Sequence, residues 1–318
     1  MIDIDLSNIK NKNILITGGA GFIGSNLVKF FAERKIRISV IDNLSTGNIK
    51  NIEPYMDYVY FSKTDIRDLK KLEKTFGGLV PDLVFHMAAL PGVPGSVADP
   101  CMSNSVNLSG FLNILKISND YNVNRVIFSS SSSVYGGAED LPTPETYCGV
   151  PKSPYALQKL TCEKYCQLFS SIYNIDTVSL RYFNVFGPNQ GYNSKYSAVI
   201  SSFCNSVKKS THPVIYGDGE QLRDFCYVDN VVYANVLAAL YDKKLNGSAF
   251  NVGTGFSRSV NSLCSELNTL EPKYDQKRSG DVLCSQADIS KISSLLGYKV
   301  IVDFEVGIKK TLKYYLES

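Results

Sequence analysis

Tyr155 and Lys159 stand four residues apart in the run SPYALQK. On a helix, that spacing puts both side chains on one face. A phenol with a reference pKa near ~10 is a poor base at neutral pH. An ammonium beside it, together with a positively charged cofactor ring, would lower that pKa and favour the phenolate, which could then take a proton from a substrate hydroxyl. Upstream lies a row of hydroxyls, Ser129 through Ser133, followed by Val134-Tyr135-Gly136. A third group, Thr17-Gly18-Gly19-Ala20-Gly21-Phe22-Ile23-Gly24, could hold phosphate. There Gly18 permits a tight turn, Gly21 lets the backbone approach a pyrophosphate, and Gly24 lets a helix pack on a strand. Each motif also fits a blander role, such as a helix surface, a solvated turn or an ordinary loop. Their placement among the surrounding elements decides between the two.

Those elements alternate. Asn13–Thr17 is expected as a buried strand, Phe22–Arg34 as a helix, and Ile36–Ile41, Tyr58–Phe61 and Leu83–His86 as further strands. A long helix is expected over about Pro100–Ser118, a strand at Arg125–Ser129, a helix over about Ser153–Tyr173 and a strand at Thr177–Tyr182. Strands alternating with helices imply an α/β fold, a Rossmann-like doubly wound parallel sheet. The glycine motif then opens the first helix, whose N-terminus offers free N–H groups and a positive dipole to phosphates. The serine row falls at the carboxyl end of a strand, where such sheets bind ligands. Asp42 closes the second strand. A carboxylate there accepts hydrogen bonds from ribose hydroxyls and repels a 2′-phosphate, which favours NAD over NADP. Asp65 and Ile66 follow the third strand within reach of an adenine.

After Asn184, Gly, Pro, Asn and Ser cluster at Gly187–Ser197 and Gly217–Glu220, and the pattern loosens. We expect residues 1–183 to form the dinucleotide-binding domain. Residues 226–254 should return to it, with Val228–Tyr241 as a helix on the sheet, and residues 184–318 should form mainly a smaller C-terminal substrate-binding lobe. The chain has 318 residues, is 44% hydrophobic and carries a formal net charge of +3, too small to argue for nucleic acid or a membrane surface. No apolar run approaches the ~18 residues of a membrane span. The opening MIDIDLSNIKNKN lacks the basic start and apolar core of a secretory signal. Eight scattered cysteines with no CxxC, beside only two histidines, argue against a metal site. They suggest reduced thiols and a cytoplasmic location.

The motifs TGGAGFIG, Asp42 with NLSTG, DIRD, HMAA, SSSSVYG, SPYALQK, LRYFNVFG and RDFCYVD occur in this order over nearly the whole chain. Together they resemble the extended short-chain dehydrogenase/reductases that act on nucleotide sugars. Within that family the stretches YSAVI, YGDGEQLRDFCYVDN and GDVLCSQADISK are most similar to UDP-N-acetylglucosamine 4-epimerases. The resemblance implies Ser133, Tyr155 and Lys159 as catalytic residues. It implies NAD contacts from Gly18, Gly21, Phe22, Ile23, Gly24, Asp42, Asn43, Asp65, Ile66, Ala88, Asn107 and Tyr182, besides Tyr155 and Lys159. It implies contacts to the UDP-sugar from Ser131, Ser132, Ser133, Asn184, Val199, Tyr216, Arg223, Arg278, Asp281 and Ser285. It also implies a homodimer built through paired helices.

In this family Tyr155 would take the proton of the sugar 4-OH while hydride leaves C4 for NAD. A 4-epimerase then returns the hydride to the other face of the 4-keto sugar. The family's 4,6-dehydratases carry an Asp-Glu pair where Ser132 and Ser133 stand here, and a hydroxyl is no ready C5 base at neutral pH. Ser285 matches a gate position at which a small residue leaves room for a 2-acetamido group. Gly92 and Gly95 depart from the Ser and Arg usual in the sugar-facing loop, which bears on any uronate substrate. The expected function is therefore interconversion of UDP-GlcNAc and UDP-GalNAc, possible also for UDP-Glc and UDP-Gal. A 4,6-dehydratase and a non-catalytic dinucleotide-binding protein stand as alternatives.

Overall fold

The computed structural model describes residues 4–173, 175–191, 198–277 and 282–317. Its centre is a seven-stranded parallel sheet. The strands are β1 (Ile14–Thr17), β2 (Ile38–Asp42), β3 (Val59–Lys63), β4 (Leu83–His86), β5 (Arg125–Ser131), β6 (Asp176–Tyr182) and a late strand (Ser248–Val252). The late strand pairs with β6, and the spatial order runs late strand, β6, β5, β4, β1, β2, β3. β1, β4 and β6 are buried along their whole length, because helices cover both faces of the sheet. The chain runs outward from β1 to β3 and then crosses back to β4. The carboxyl ends of β1 and β4 therefore part to leave the crevice in which such sheets bind ligands.

One face of the sheet carries α1 (Phe22–Ala32). The other carries α2 (Leu69–Leu79), a composite helix, and α6 (Pro154–Ile172). The α6 start is locally encoded. Ser153 caps it by accepting the Ala156 N–H at 3.1 Å, and Pro154 occupies the first turn. The helix expected over about Pro100–Ser118 is continuous from Pro100 to Asp120 but contains a wide turn: α4 (Pro100–Asn104) runs into a π-helical stretch over Ser105–Gly110 and on into α5 (Phe111–Asp120), with a short α3 (Val93–Ala98) before it. The wide turn seats Gly110 against Ile66, where a Cβ would lie 2.6 Å from the Ile66 side chain. It also turns Asn107 toward the loop after β4. α2 was not anticipated, because two glycines near its end weaken the pattern; Leu72 and Phe76 nonetheless anchor it in the core.

Beyond β6 the chain builds small sheets. β7 (Val185–Phe186) pairs with β10 (Cys226–Tyr227), and β8 (Val214–Tyr216) with a strand at Lys273–Asp275. β9 (Leu222–Arg223) lies between Arg258–Ser259 and Cys284–Ser285. Helices Val199–Lys208, Val260–Glu266 and Phe304–Glu317 enclose a separate core around Phe186, Phe203, Phe225 and Phe304. Between them the helix Val228–Leu240 returns to pack on α1 and the main sheet, as expected. All eight cysteines are unpaired. Among the described residues no helix is long and apolar enough to cross a membrane.

Candidate active site

The crevice at the carboxyl ends of β1 and β4 holds a cavity of about 180 Å³. It is lined by Gly18, Gly21, Phe22, Ile23, Gly24, Asp42, Asn43, Asp65, Ile66 and Ala88, all expected cofactor contacts, and also by Met87, Leu90 and Val106. The glycines have steric reasons. Gly18 has φ +68°, and a Cβ there would lie 2.6 Å from the Ala88 nitrogen. A Cβ on Gly24 would lie 2.1 Å from the Gly18 carbonyl oxygen. Gly21 precedes α1 without a capping side chain, so the N–H groups of the first turn face this cradle. Asp42 accepts the Ala20 N–H at 3.0 Å and the Leu44 N–H at 2.8 Å, so the carboxylate also holds the glycine turn. Burial pushes its pKa up, and those two bonds oppose the shift. Asp65 receives a fork of bonds from Arg67, and these hold its carboxyl well below the usual carboxylate range. Asn43 donates to the same carboxylate at 2.9 Å.

Asn107 does not line this cavity. Its amide accepts from the Leu90 N–H at 2.8 Å and donates to the Leu90 carbonyl at 3.1 Å and to Gln158 at 2.9 Å. It shapes the loop after β4. The remaining groups fit NAD: a cradle that a Cβ would fill, a helix N-terminus aimed at it, and an acceptor carboxylate at the end of β2.

A second cavity of about 460 Å³ adjoins the first, and Phe22 and Ile23 line both. Around it stand Ser131, Ser132, Ser133 and Tyr155, with Tyr182, Asn184, Arg223 and Ser285. β5 delivers the serines and α6 delivers Tyr155, so the two motifs meet as the sequence suggested. Ser133 Oγ is buried and has no hydrogen-bond partner. Such a group is expensive to bury and suited to a ligand hydroxyl. The Tyr155 hydroxyl shares a hydrogen bond with Ser131, yet burial pushes the phenol up to about 12. Without a cofactor's charge beside it, Lys159 alone does not lower the phenol, for a physical reason. Lys159 donates to the Ser129 carbonyl at 2.5 Å, and burial lowers its pKa to about 8. Its charge is gone before the phenol titrates. His86 lies behind the pair, stacked on Phe128; burial, then Lys159, lower its pKa to about 3 and keep it neutral.

Tyr182 lines the cavity, but its hydroxyl is engaged with Asn235 at 3.1 Å. Ser285 pairs with Arg223 across adjacent strands, which sets both on one wall. Val199 and Tyr216 stand outside the lining: Val199 begins its helix against the separate core, and Tyr216 ends β8. Arg278 and Asp281 lie outside the described residues. Lys152, Thr143, Phe183 and Gln190 also line the cavity and were not anticipated. The signal for Lys152 was its place directly before the Ser153 cap. Among the described lining residues there are two cations, Lys152 and Arg223, and no carboxylate. The wall is therefore suited to an anion. Gly92 lines it with φ +100°, and a Cβ on Gly95 would meet nothing within 4 Å, so the departures from the Ser and Arg pattern leave open space.

Residues 14–253 match the model of the NAD dependent epimerase/dehydratase family. The chain is 41% identical to the solved UDP-N-acetylglucosamine 4-epimerase of Methanobrevibacter ruminantium, with a TM-score of 0.91 over 97% of this chain and 99% of that one. It is 34% identical to the Thermus thermophilus UDP-glucose 4-epimerase solved with NAD, with a TM-score of 0.87 over 95% and 98% of the two chains. The UDP-glucose 4-epimerase of Mycolicibacterium smegmatis is 32% identical, over 95% of this chain and 97% of that protein. With a match of that extent and a crevice built to hold a dinucleotide, the chain belongs to the NAD dependent epimerase/dehydratase family and is an enzyme that uses NAD.

Proposed function

We propose that the protein is a UDP-sugar 4-epimerase that interconverts UDP-GlcNAc and UDP-GalNAc. The observation that carries this reading is the makeup of the larger cavity: Tyr155 and the unpartnered Ser133 hydroxyl stand in it, and no carboxylate is among its described lining residues. Tyr155 accepts the proton of the sugar 4-OH, and Ser133 hydrogen-bonds the same oxygen and orients it. Ser131 holds the phenol in place. Bound in the adjoining crevice, NAD supplies the hydride acceptor and donor at C4. Dehydration across C5 and C6 would need a base at C5, and Ser132 and Ser133 are poor ones.

In this reading residues 1–183 and 226–254 hold NAD, and residues 184–318 otherwise hold the UDP-sugar. Arg223, with Arg278, would grip the pyrophosphate, and Ser285 would leave room for the acetamido group. We also propose a homodimer. Leu157, Leu168 and Ile172 are exposed along one stripe of α6, and Val97 and Met102 are exposed on α3 and α4. Eight unpaired thiols fit a reducing compartment, the cytoplasm. Incubation with UDP-GlcNAc, followed by NMR of the product, tests the function. UDP-GalNAc should appear without net redox change. A 4-keto-6-deoxy product would establish the dehydratase instead, and no turnover by NAD-loaded protein would leave a dinucleotide-binding protein.

A further inference from the structure

Behind the serine row lies a buried ion pair that the mechanism above does not use. Glu163 sits on α6 one turn after Lys159 and is 1% exposed; Arg181 comes from β6 and is 8% exposed. Arg181 Nη2 donates to Glu163 Oε2 at 2.7 Å, and its Nε donates to Oε1 at 3.0 Å. Taking two charges out of water is costly, and an apolar pair can serve stability as well. The fold alone therefore gives no reason for charges at this spot.

What the pair touches supplies one. Ser130 Oγ donates to Glu163 Oε1 at 2.5 Å. Arg181 Nη1 donates to the Tyr135 hydroxyl at 2.9 Å, and that hydroxyl donates to Asn251 at 2.6 Å. The short segment from Ser130 to Tyr135 is thus gripped at its first residue by the carboxylate and at its last by the guanidinium. Ser131 and Ser133 lie between the two grips. On the helix side, Lys159 donates to the Ser129 carbonyl, so consecutive turns of α6 are tied to consecutive residues of β5.

We propose that Glu163 and Arg181 are positioning residues that hold Ser131 and Ser133 in register with Tyr155 and Lys159. The proposal rests on the catalytic reading of those four side chains. Glu163 has a second consequence. The titratable groups facing Lys159 are Tyr155, Cys162, Glu163 and Cys166 on α6 and His86 on β4. Burial keeps Cys162 and Cys166 protonated, the first pushed up to about 12 and the second higher, and before NAD binds Tyr155 and His86 are likewise neutral at neutral pH. Glu163 is then the group whose negative charge supports the Lys159 ammonium against burial.

Steady-state kinetics over pH, on NAD-loaded protein of unchanged circular dichroism, separate the two effects. Ser130→Ala and Tyr135→Phe each release one grip and keep both charges. Each should lower kcat about tenfold, with KM nearly constant and the pH limbs unmoved, because a small misplacement of reacting groups acts on turnover. Glu163→Gln should lower kcat and also move the alkaline limb to lower pH by about half a unit or more, as Lys159 loses its proton sooner. If Glu163→Gln does not fold, the two milder variants decide. Wild-type kcat in both, with Tyr155→Phe inactive, overturns the positioning role. An active Tyr155→Phe would mean that the catalytic reading is what fails, and the positioning role falls with it.

Discussion

Loading the crevice with oxidised NAD should make Tyr155 a much stronger acid. In the cofactor-free protein the phenol is pushed up to about 12 by burial, and Lys159, lowered to about 8, has lost its charge before the phenol ionises. The lysine alone therefore cannot produce a phenolate near neutrality. The oxidised nicotinamide carries a positive charge that does not titrate. For scale, a unit charge at 5.7 Å, the distance between Lys159 Nζ and the Tyr155 ring, contributes about 3 kcal/mol, or about two pKa units, in an effective dielectric of ~20. Once the phenol falls toward the lysine, phenolate and ammonium stabilise each other and the two titrate as a coupled pair, so two units is the lower expectation. The assay is the ultraviolet phenolate band followed over pH, with the Tyr155→Phe spectrum subtracted, for stripped, NAD-loaded and NADH-loaded enzyme. NADH is the control, because its nicotinamide is neutral and should leave the phenol high. The acid limb of turnover should follow the NAD-loaded value, with activity falling as pH drops below it. Equal titration with NAD and NADH, or a phenol already ionised near neutrality in the stripped protein, would refute the reasoning.

Gly24→Ala should abolish cofactor retention, since its Cβ would lie 2.1 Å from the backbone oxygen of Gly18, which has no room to yield; the NAD content of the purified protein measures this. Ser133→Ala removes a hydroxyl that has no partner in the protein. Melting temperature should hold or rise, while kcat falls by on the order of 10²-fold, and unchanged turnover would take Ser133 out of the mechanism. Titration of both cofactors should show NAD bound more tightly than NADP because of Asp42. Asp42→Ala should also destabilise the glycine turn by about 1.5–3 kcal/mol for each lost backbone bond to the carboxylate, measured by denaturant unfolding. Ser285→Tyr should lower kcat/KM on UDP-GlcNAc more than on UDP-Glc; an unchanged ratio would mean that Ser285 does not face C2 of the sugar.

Much of this protein was legible along the chain because its signals are local. The alternation of buried strands and helices, the glycine turn and the Ser153–Pro154 start of α6 depend on residues within one turn of each other. They specified the doubly wound sheet, the crevice at its switch point, and the helix that places Tyr155 and Lys159 on one face. Motif likeness carried the reading further, to the family. What the chain alone could not decide were groups that meet only when distant segments pack. The wide π-helical turn inside the expected long helix depends on Gly110 against Ile66 and Asn107 against Leu90. The strand at Ser248–Val252 counts as part of the main sheet only because it finds β6. Lys152 becomes a wall of the larger cavity only once the segment before α6 packs beside Gly136 and Gly137 after the serine row. That Lys159 alone does not lower the Tyr155 phenol was decided by depth of burial, and burial is a property of everything packed around a side chain rather than of its neighbours in sequence. The Glu163–Arg181 pair joins α6 to β6 for the same reason: charges are kept out of water only where the tertiary structure brings each its partner.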